Sequence, residues 1–229
     1  MRLSLAAPLL LTALAACGSP TEERRVAGLV SQDVTFETLT VCHGTGCAQR
    51  SEVRLDETDW SKVDAVFLAP AASAADERAR IGIAIGIMEV LVGPQSGTRS
   101  DTGRNQHSGN RTGQLDCVDE AVNSTTYLGL IAERGLLRFH DVAPPANRIL
   151  NLLDAHNTAV VVDRATGISY AVDSWFFDNG TPAVVLPLVV WRSGWDPING
   201  DTVPAEPVAA TPATNTAVQP AATAAAGGS

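Results

Sequence analysis

Two β-rich runs joined by a four-residue turn constrain this chain most. Residues 156–163 (His-Asn-Thr-Ala-Val-Val-Val-Asp) lead into one strand, and residues 168–173 (Ile-Ser-Tyr-Ala-Val-Asp) return as the next. Between them, residues 164–167 end in Gly167, which can take the left-handed conformation that such turns need. The hairpin predicts antiparallel pairing, so His156 at the start of one strand and Asp173 at the end of the other become near neighbours across the ladder. A carboxylate beside an imidazole fixes its tautomer and stabilises its cation.

A second stretch needs such a pair. Asp116 has the chemistry of a helix N-cap, and Val118, Ala121, Val122, Thr125, Leu128 and Ala132 follow at helical spacing. Cys117 therefore falls in the first turn of a helix, where the dipole favours thiolate. Gly135 closes this helix. If the His156–Asp173 pair faces the helix start, the chain holds a nucleophile, a base and a group that orients the base. His140-Asp141 offers a second candidate base, without the hairpin geometry. His107 falls in a polar loop and reads as solvated.

Four cysteines must be accounted for. Residues 1–16 are a short start with Arg2 followed by an apolar run, too short to span a membrane and of the kind found in secretory signals. The run ends in Leu14-Ala15-Ala16-Cys17-Gly18, which resembles the lipobox of bacterial lipoproteins. The resemblance implies cleavage before Cys17, lipidation of Cys17 and, with Gly18 following, an envelope location on the periplasmic face of the outer membrane. Cys42 and Cys47 flank His43-Gly44-Thr45-Gly46 between two predicted strands, residues 34–41 and 52–55. A disulfide stapling the hairpin tip or a metal site could use them, and the exported setting with no second ligand pair nearby favours the disulfide. Cys117 is left unpaired, and an unpaired cysteine in an oxidising compartment reads as a reactive thiol.

Along the rest of the chain, residues 17–25 read as the lipidated cysteine and a polar tether. Residues 63–68 read as a short strand or buried run. Residues 71–92 read as a long helix capped by Ser73, with Gly82 and Gly86 allowing close packing. Residues 93–113 form a long polar loop delivered to Gln114, suited to one wall of a cleft. Pro144-Pro145 is expected to break the chain, and residues 146–153 read as a helical turn or a strand. Residues 184–191 are β-rich, with Pro187 pointing to an edge or a bulge. Residues 201–229 are Ala, Pro and Thr with hardly any charge, an expected disordered tail. One domain over residues 26–200 remains. A net charge of −9 with no basic cluster makes nucleic acid a poor partner.

The order of Cys117, His156 at a strand start and Asp173 on the next strand resembles the papain-like and transglutaminase-like superfamily. The similarity is greatest to bacterial transglutaminase-like cysteine peptidases, whose cysteine opens a helix and is followed by an acidic pair and a small residue, as in Cys117-Val118-Asp119-Glu120-Ala121. Asp173-Ser174-Trp175 is similar to the Asn-Ser-Trp segment of papain-like enzymes. The resemblance covers roughly residues 113–191. It implies an α+β fold with the nucleophile helix packed on an antiparallel sheet. It implies Cys117 as nucleophile, His156 as base, Asp173 as orienter and Trp175 as its shield. Gln114, with the Cys117 backbone N–H, would donate to an oxyanion. Some relatives hold calcium near the cysteine, for which Asp116, Asp119 and Glu120 are candidates by position; no other metal or cofactor is expected. The sequence departs from the pattern in Asn157-Thr158 after the histidine and in the closeness of Gln114 to Cys117. The function implied is cleavage of a peptide or amide bond in an envelope polypeptide through a thioester. The alternative is a non-catalytic envelope lipoprotein that uses the same fold for binding or scaffolding.

Overall fold

A computed structural model describes residues 19–105, 113–150 and 155–204. The expected signal, Cys17, His107 and nearly all of the expected tail lie outside the described residues. The fold is mixed α and β, with two antiparallel sheets.

Helix α1 (Pro20–Ala27) is followed by a hairpin of β1 (Thr38–His43) and β2 (Gln49–Arg54), then α2 (Glu57–Phe67), α3 (Ala74–Ser96) and α4 (Cys117–Glu133). A four-stranded sheet follows: β3 (His140–Ile149), β4 (Ala155–Asp163), β5 (Ser169–Asp173) and β6 (Val184–Pro187), in that spatial order. Helix α5 (Leu188–Arg192) and a 3-10 turn (Pro197–Asn199) close the described chain.

Helix α4 lies across β3, β4 and β5 and also touches β1. Its apolar stripe buries Leu128 and Ile131 with Val161 and Val172 of the sheet and with Ile81, Ile85 and Met88 of α3. Each such fully buried side chain contributes roughly 1.5–3 kcal/mol relative to an exposed one. The glycine prediction on α3 has a backbone cause. A Cβ on Gly82 would sit 2.4 Å from the Ala183 carbonyl oxygen, and one on Gly86 would sit 2.8 Å from that of Gly180. These glycines let α3 lie directly against the segment entering β6, and Ala183 N–H donates to the Gly82 carbonyl at 3.0 Å.

Five expectations need correction. Residues 63–68 are mostly helix, because Asp56 and Asp59 form a capping box that starts α2. The long helix continues past Val92 to Ser96 and stops at Gly97, whose φ of +80° is left-handed. Pro144-Pro145 does not break the chain: β3 is an edge strand, and its register shifts between Ala143 and Ala146, a bulge where missing N–H groups cost nothing. The expected tether at residues 20–25 is instead the body of α1, packed on β3. Ser19 caps it, and the Ser19 N–H donates to Asn147 Oδ1 at 2.7 Å. The β-rich run at 184–191 also ends at Pro187, beyond which the chain turns helical as α5.

Candidate active site

The start of α4 is fixed before any chemistry is asked of it. The Asp116 carboxylate accepts the N–H groups of Val118 at 3.1 Å and Asp119 at 2.9 Å. Asp119 reciprocates, accepting the Asp116 N–H at 3.2 Å, which completes a capping box. Both carboxylates also hold the tip of the β1–β2 hairpin. Asp119 accepts from Thr45 N–H at 3.0 Å and Cys47 N–H at 2.6 Å, and Asp116 accepts from Gly46 N–H at 2.9 Å. Residues 44–47 all carry positive φ, and the N–H groups of Thr45, Gly46 and Cys47 turn inward to form this cradle. The disulfide between Cys42 and Cys47 closes the tip and packs with Val118, Ala121 and Val122.

Asp116 and Asp119, raised from sequence as calcium candidates, thus point at backbone donors. Glu120 is directed elsewhere, accepting from Ser174 Oγ at 2.8 Å. Among the described residues no three His, Cys, Asp or Glu side chains are grouped to hold a metal ion. Burial, with the neighbouring Asp116 charge, pushes the Asp119 carboxyl up to about 7 against the pull of its backbone donors.

Cys117 occupies the first position of α4 and is half-buried. Its N–H makes no hydrogen bond among the described residues, because the Asp116 carboxylate takes the two that follow. Two groups from the start of β4 approach the sulfur: the Ala155 carbonyl oxygen at 4.0 Å and Asn157 Nδ2 at 3.7 Å.

His156 lies between these two residues on β4 and is buried. Its Nε2 is 2.8 Å from Asp173 Oδ2. The strand register pairs Ala159 with Val172, so Asp173 falls opposite Thr158 and reaches His156 on the diagonal of the same face. Asp173 Oδ2 also accepts from Trp191 Nε1 at 2.7 Å, and Oδ1 accepts from the Trp175 N–H at 3.2 Å. The other ring nitrogen, Nδ1, is buried with no hydrogen-bond partner among the described residues. Burial alone would lower the pKa of the imidazole. The Asp173 charge and hydrogen bond, helped by the Cys117 sulfur, outweigh it and raise the ring to about 9.

Aromatic rings enclose this pair. Ring centroids of Trp175, Phe176 and Trp191 lie 4.5, 5.3 and 5.4 Å from that of His156. Trp175 Nε1 donates to the Asn105 carbonyl at 3.0 Å, which ties the ring to the loop before Gln114. Arg104 pairs with Asp196 and places its guanidinium 5.3 Å from the Phe176 ring.

Gln114 is bound into that same loop. Its Nε2 donates to the Ser100 carbonyl at 2.8 Å, and its Oε1 accepts from Thr102 Oγ1 at 3.0 Å and from Asn105. The structure therefore brings together His156, Asp173 and Trp175 with Cys117 nearby, and turns the Gln114 amide towards residues 100–105. Asn157 and Trp191 are the residues that sequence reasoning passed over. Asn157 stands next to a singled-out histidine, so its position was the available signal. Trp191 had none, since it reaches Asp173 only after the chain turns at Pro187.

His140 is remote from this centre in its bonding. Its Nδ1 donates to Glu77 at 2.9 Å and its Nε2 accepts from Arg78 at 3.0 Å. Glu77 also accepts the N–H groups of Arg138, Phe139 and His140, so this buried network anchors the start of β3.

A second acidic layer lies under the site. Glu120, Glu89 and Asp101 repel one another through the interior, and Glu89 Oε2 accepts from the Gly180 N–H at 2.8 Å. Burial, aided by these like charges, holds the Glu120 carboxyl well above its usual range. Burial raises Glu89 to about 7 and Asp101 to about 6. In comparisons with family models, curated proteins and solved structures, nothing matches this chain.

Proposed function

We propose that this chain is a thiol hydrolase of the transglutaminase-like type, cleaving a peptide or amide bond through a thioester on Cys117. The observation that carries this reading is the His156–Asp173 pair at 2.8 Å, with the second imidazole nitrogen buried without a hydrogen-bond partner among the described residues and the Cys117 sulfur close enough to raise the ring's pKa. A ring held protonated to about pH 9 can pair with a thiolate at neutral pH and then supply a proton. Asp173 orients it, and the tryptophans exclude water from the carboxylate.

In this reading the Cys117 thiolate attacks the carbonyl carbon, forming a C–S bond. The carbonyl electron pair moves to oxygen. Collapse breaks the C–N bond, and the leaving amine takes its proton from His156. Water then attacks the thioester, gives a proton to His156 and releases the acid, which restores the thiolate. The substrate is an envelope polypeptide, and the chain reaches it as a lipoprotein anchored through Cys17. The lipobox-like segment supports that placement; among the described residues no helix is long and apolar enough to cross a membrane.

The test is selective alkylation by iodoacetamide near neutral pH, mapped to Cys117, together with hydrolysis of a peptide library that Cys117→Ala abolishes. An inert Cys117 and no hydrolysis would sink the reading and leave the fold as a binding or scaffolding module.

A further inference from the structure

We infer that Asn157 is a catalytic residue whose side-chain amide, together with the Cys117 backbone N–H, holds the oxyanion of the tetrahedral intermediate. The inference rests on the thiol-hydrolase reading and adds to it a donor that the sequence pattern had given to Gln114.

Three observations carry it. Asn157 Nδ2 approaches the Cys117 sulfur at 3.7 Å, and the oxygen of an attacked carbonyl is only one bond from the carbon that the sulfur attacks. Asn157 is 4% exposed, and its Oδ1 has no partner among the described residues. A buried amide kept only for structure normally has both ends satisfied, and leaving one unmade costs roughly 1–3 kcal/mol. Flipping the amide would press Oδ1 against the sulfur and strand the NH2 group instead, so the donor-to-sulfur arrangement is the better one. Finally, the Gln114 amide is engaged by Ser100, Thr102 and Asn105, while the Cys117 N–H at the first position of α4 makes no hydrogen bond among the described residues.

The arrangement suits charge that exists only part-way through the reaction. In the resting site the amide faces the Cys117 sulfur. When the C–S bond forms and the carbonyl pair becomes an alkoxide, the same N–H and the backbone N–H of Cys117 meet that oxygen. The positive end of α4 adds to both. Such donors favour the transition state over the bound substrate because they are placed before the charge develops.

The test compares two reactions of one thiol in the full chain. p-Nitrophenyl acetate acylates a thiolate through a tetrahedral oxyanion and releases p-nitrophenolate. Iodoacetamide alkylates it by displacing iodide, with no oxyanion. Asn157→Ala and the similarly shaped, uncharged Asn157→Leu should each slow the p-nitrophenolate burst by about 10²–10³-fold. Both should leave the iodoacetamide rate near that of the parent. An unchanged burst in a folded variant overturns the assignment. Equal slowing of both reactions also overturns it, because Asn157 would then position the thiol. Failure of both variants to fold by circular dichroism shows a structural amide and overturns it too. If the parent chain gives neither a burst nor alkylation at Cys117, the nucleophile reading itself fails and takes this assignment with it.

Discussion

Asp173 Oδ2 stands 2.8 Å from His156 Nε2 while accepting a second hydrogen bond from Trp191 at 2.7 Å. One oxygen therefore sets both the tautomer and the tilt of the imidazole, and the indole keeps that oxygen from rotating away. Asp173→Asn should leave the fold intact and lower turnover by about 10²–10⁴-fold, since the amide cannot hold an imidazolium. Steady-state kinetics on the best library peptide, with circular dichroism as the folding control, checks this.

Trp191→Phe isolates the second bond. The ring still packs against His156, but Asp173 loses one buried donor. The expected cost is about 1–3 kcal/mol of stability. The fall in turnover should be smaller than for Asp173→Asn. Thermal melts and turnover measured on the same preparation decide it; a larger effect on turnover than Asp173→Asn would contradict the assigned roles.

The pH profile should have an alkaline limb. His156 is raised from 6.5 to about 9, so the imidazolium, and the stability it contributes, is fully present below about 6.5 and lost as pH rises through about 9. Amide cleavage needs that proton and should fall as pH rises through about 9, whereas alkylation by iodoacetamide, which needs no acid, should not. In Asp173→Asn the limb should move to lower pH.

The acidic layer predicts a separate effect on folding. Burial raises Glu89 from 4.5 to about 7, so the folded chain binds more protons than the unfolded one between those values. Stability from this group is present below about 4.5 and is lost as pH rises through about 7. Glu89→Gln should raise the melting temperature at pH 8 and change it little at pH 4.5. Differential scanning fluorimetry across that range reads the crossing.

Asp119 should prove structural. Removing its carboxylate strands the N–H groups of Thr45, Cys47 and Asp116, at roughly 1–3 kcal/mol for each left unsatisfied. Asp119→Ala should therefore lower the melting temperature strongly. Adding calcium should not raise the melting temperature of the parent chain; a clear calcium-dependent increase would return Asp119 to the list of ligands.

What the sequence disclosed was local. Two β-rich runs and Gly167 marked the hairpin, Asp116 marked the helix start, and the exported setting favoured a disulfide between Cys42 and Cys47. Helix α2 also had a local signal in Asp56 and Asp59, which the short apolar run at its end obscured. Other features depend on the tertiary arrangement. Pro144-Pro145 is tolerated because β3 has no neighbouring strand on its outer edge among the described residues, which cannot be read from the prolines. The Trp191 contact requires α5 to fold back over Asp173. The aim of the Gln114 amide depends on a loop with no periodicity at all.

Helix α1 bears on reach. Ser19 is bonded to Asn147, Glu23 accepts from the Asn147 N–H at 3.2 Å and from Arg192 at 2.7 Å, and β4 begins across from that end of β3 with Ala155 and His156. The candidate site and the N-terminal docking point thus share one end of the sheet. Only Gly18 separates Ser19 from Cys17, and two residue steps of extended chain cover roughly 7 Å. A lipid on Cys17 would moor the candidate site close to the bilayer instead of letting it sweep a wide volume. Its catch would be limited to polypeptide segments that themselves lie within a short distance of the membrane.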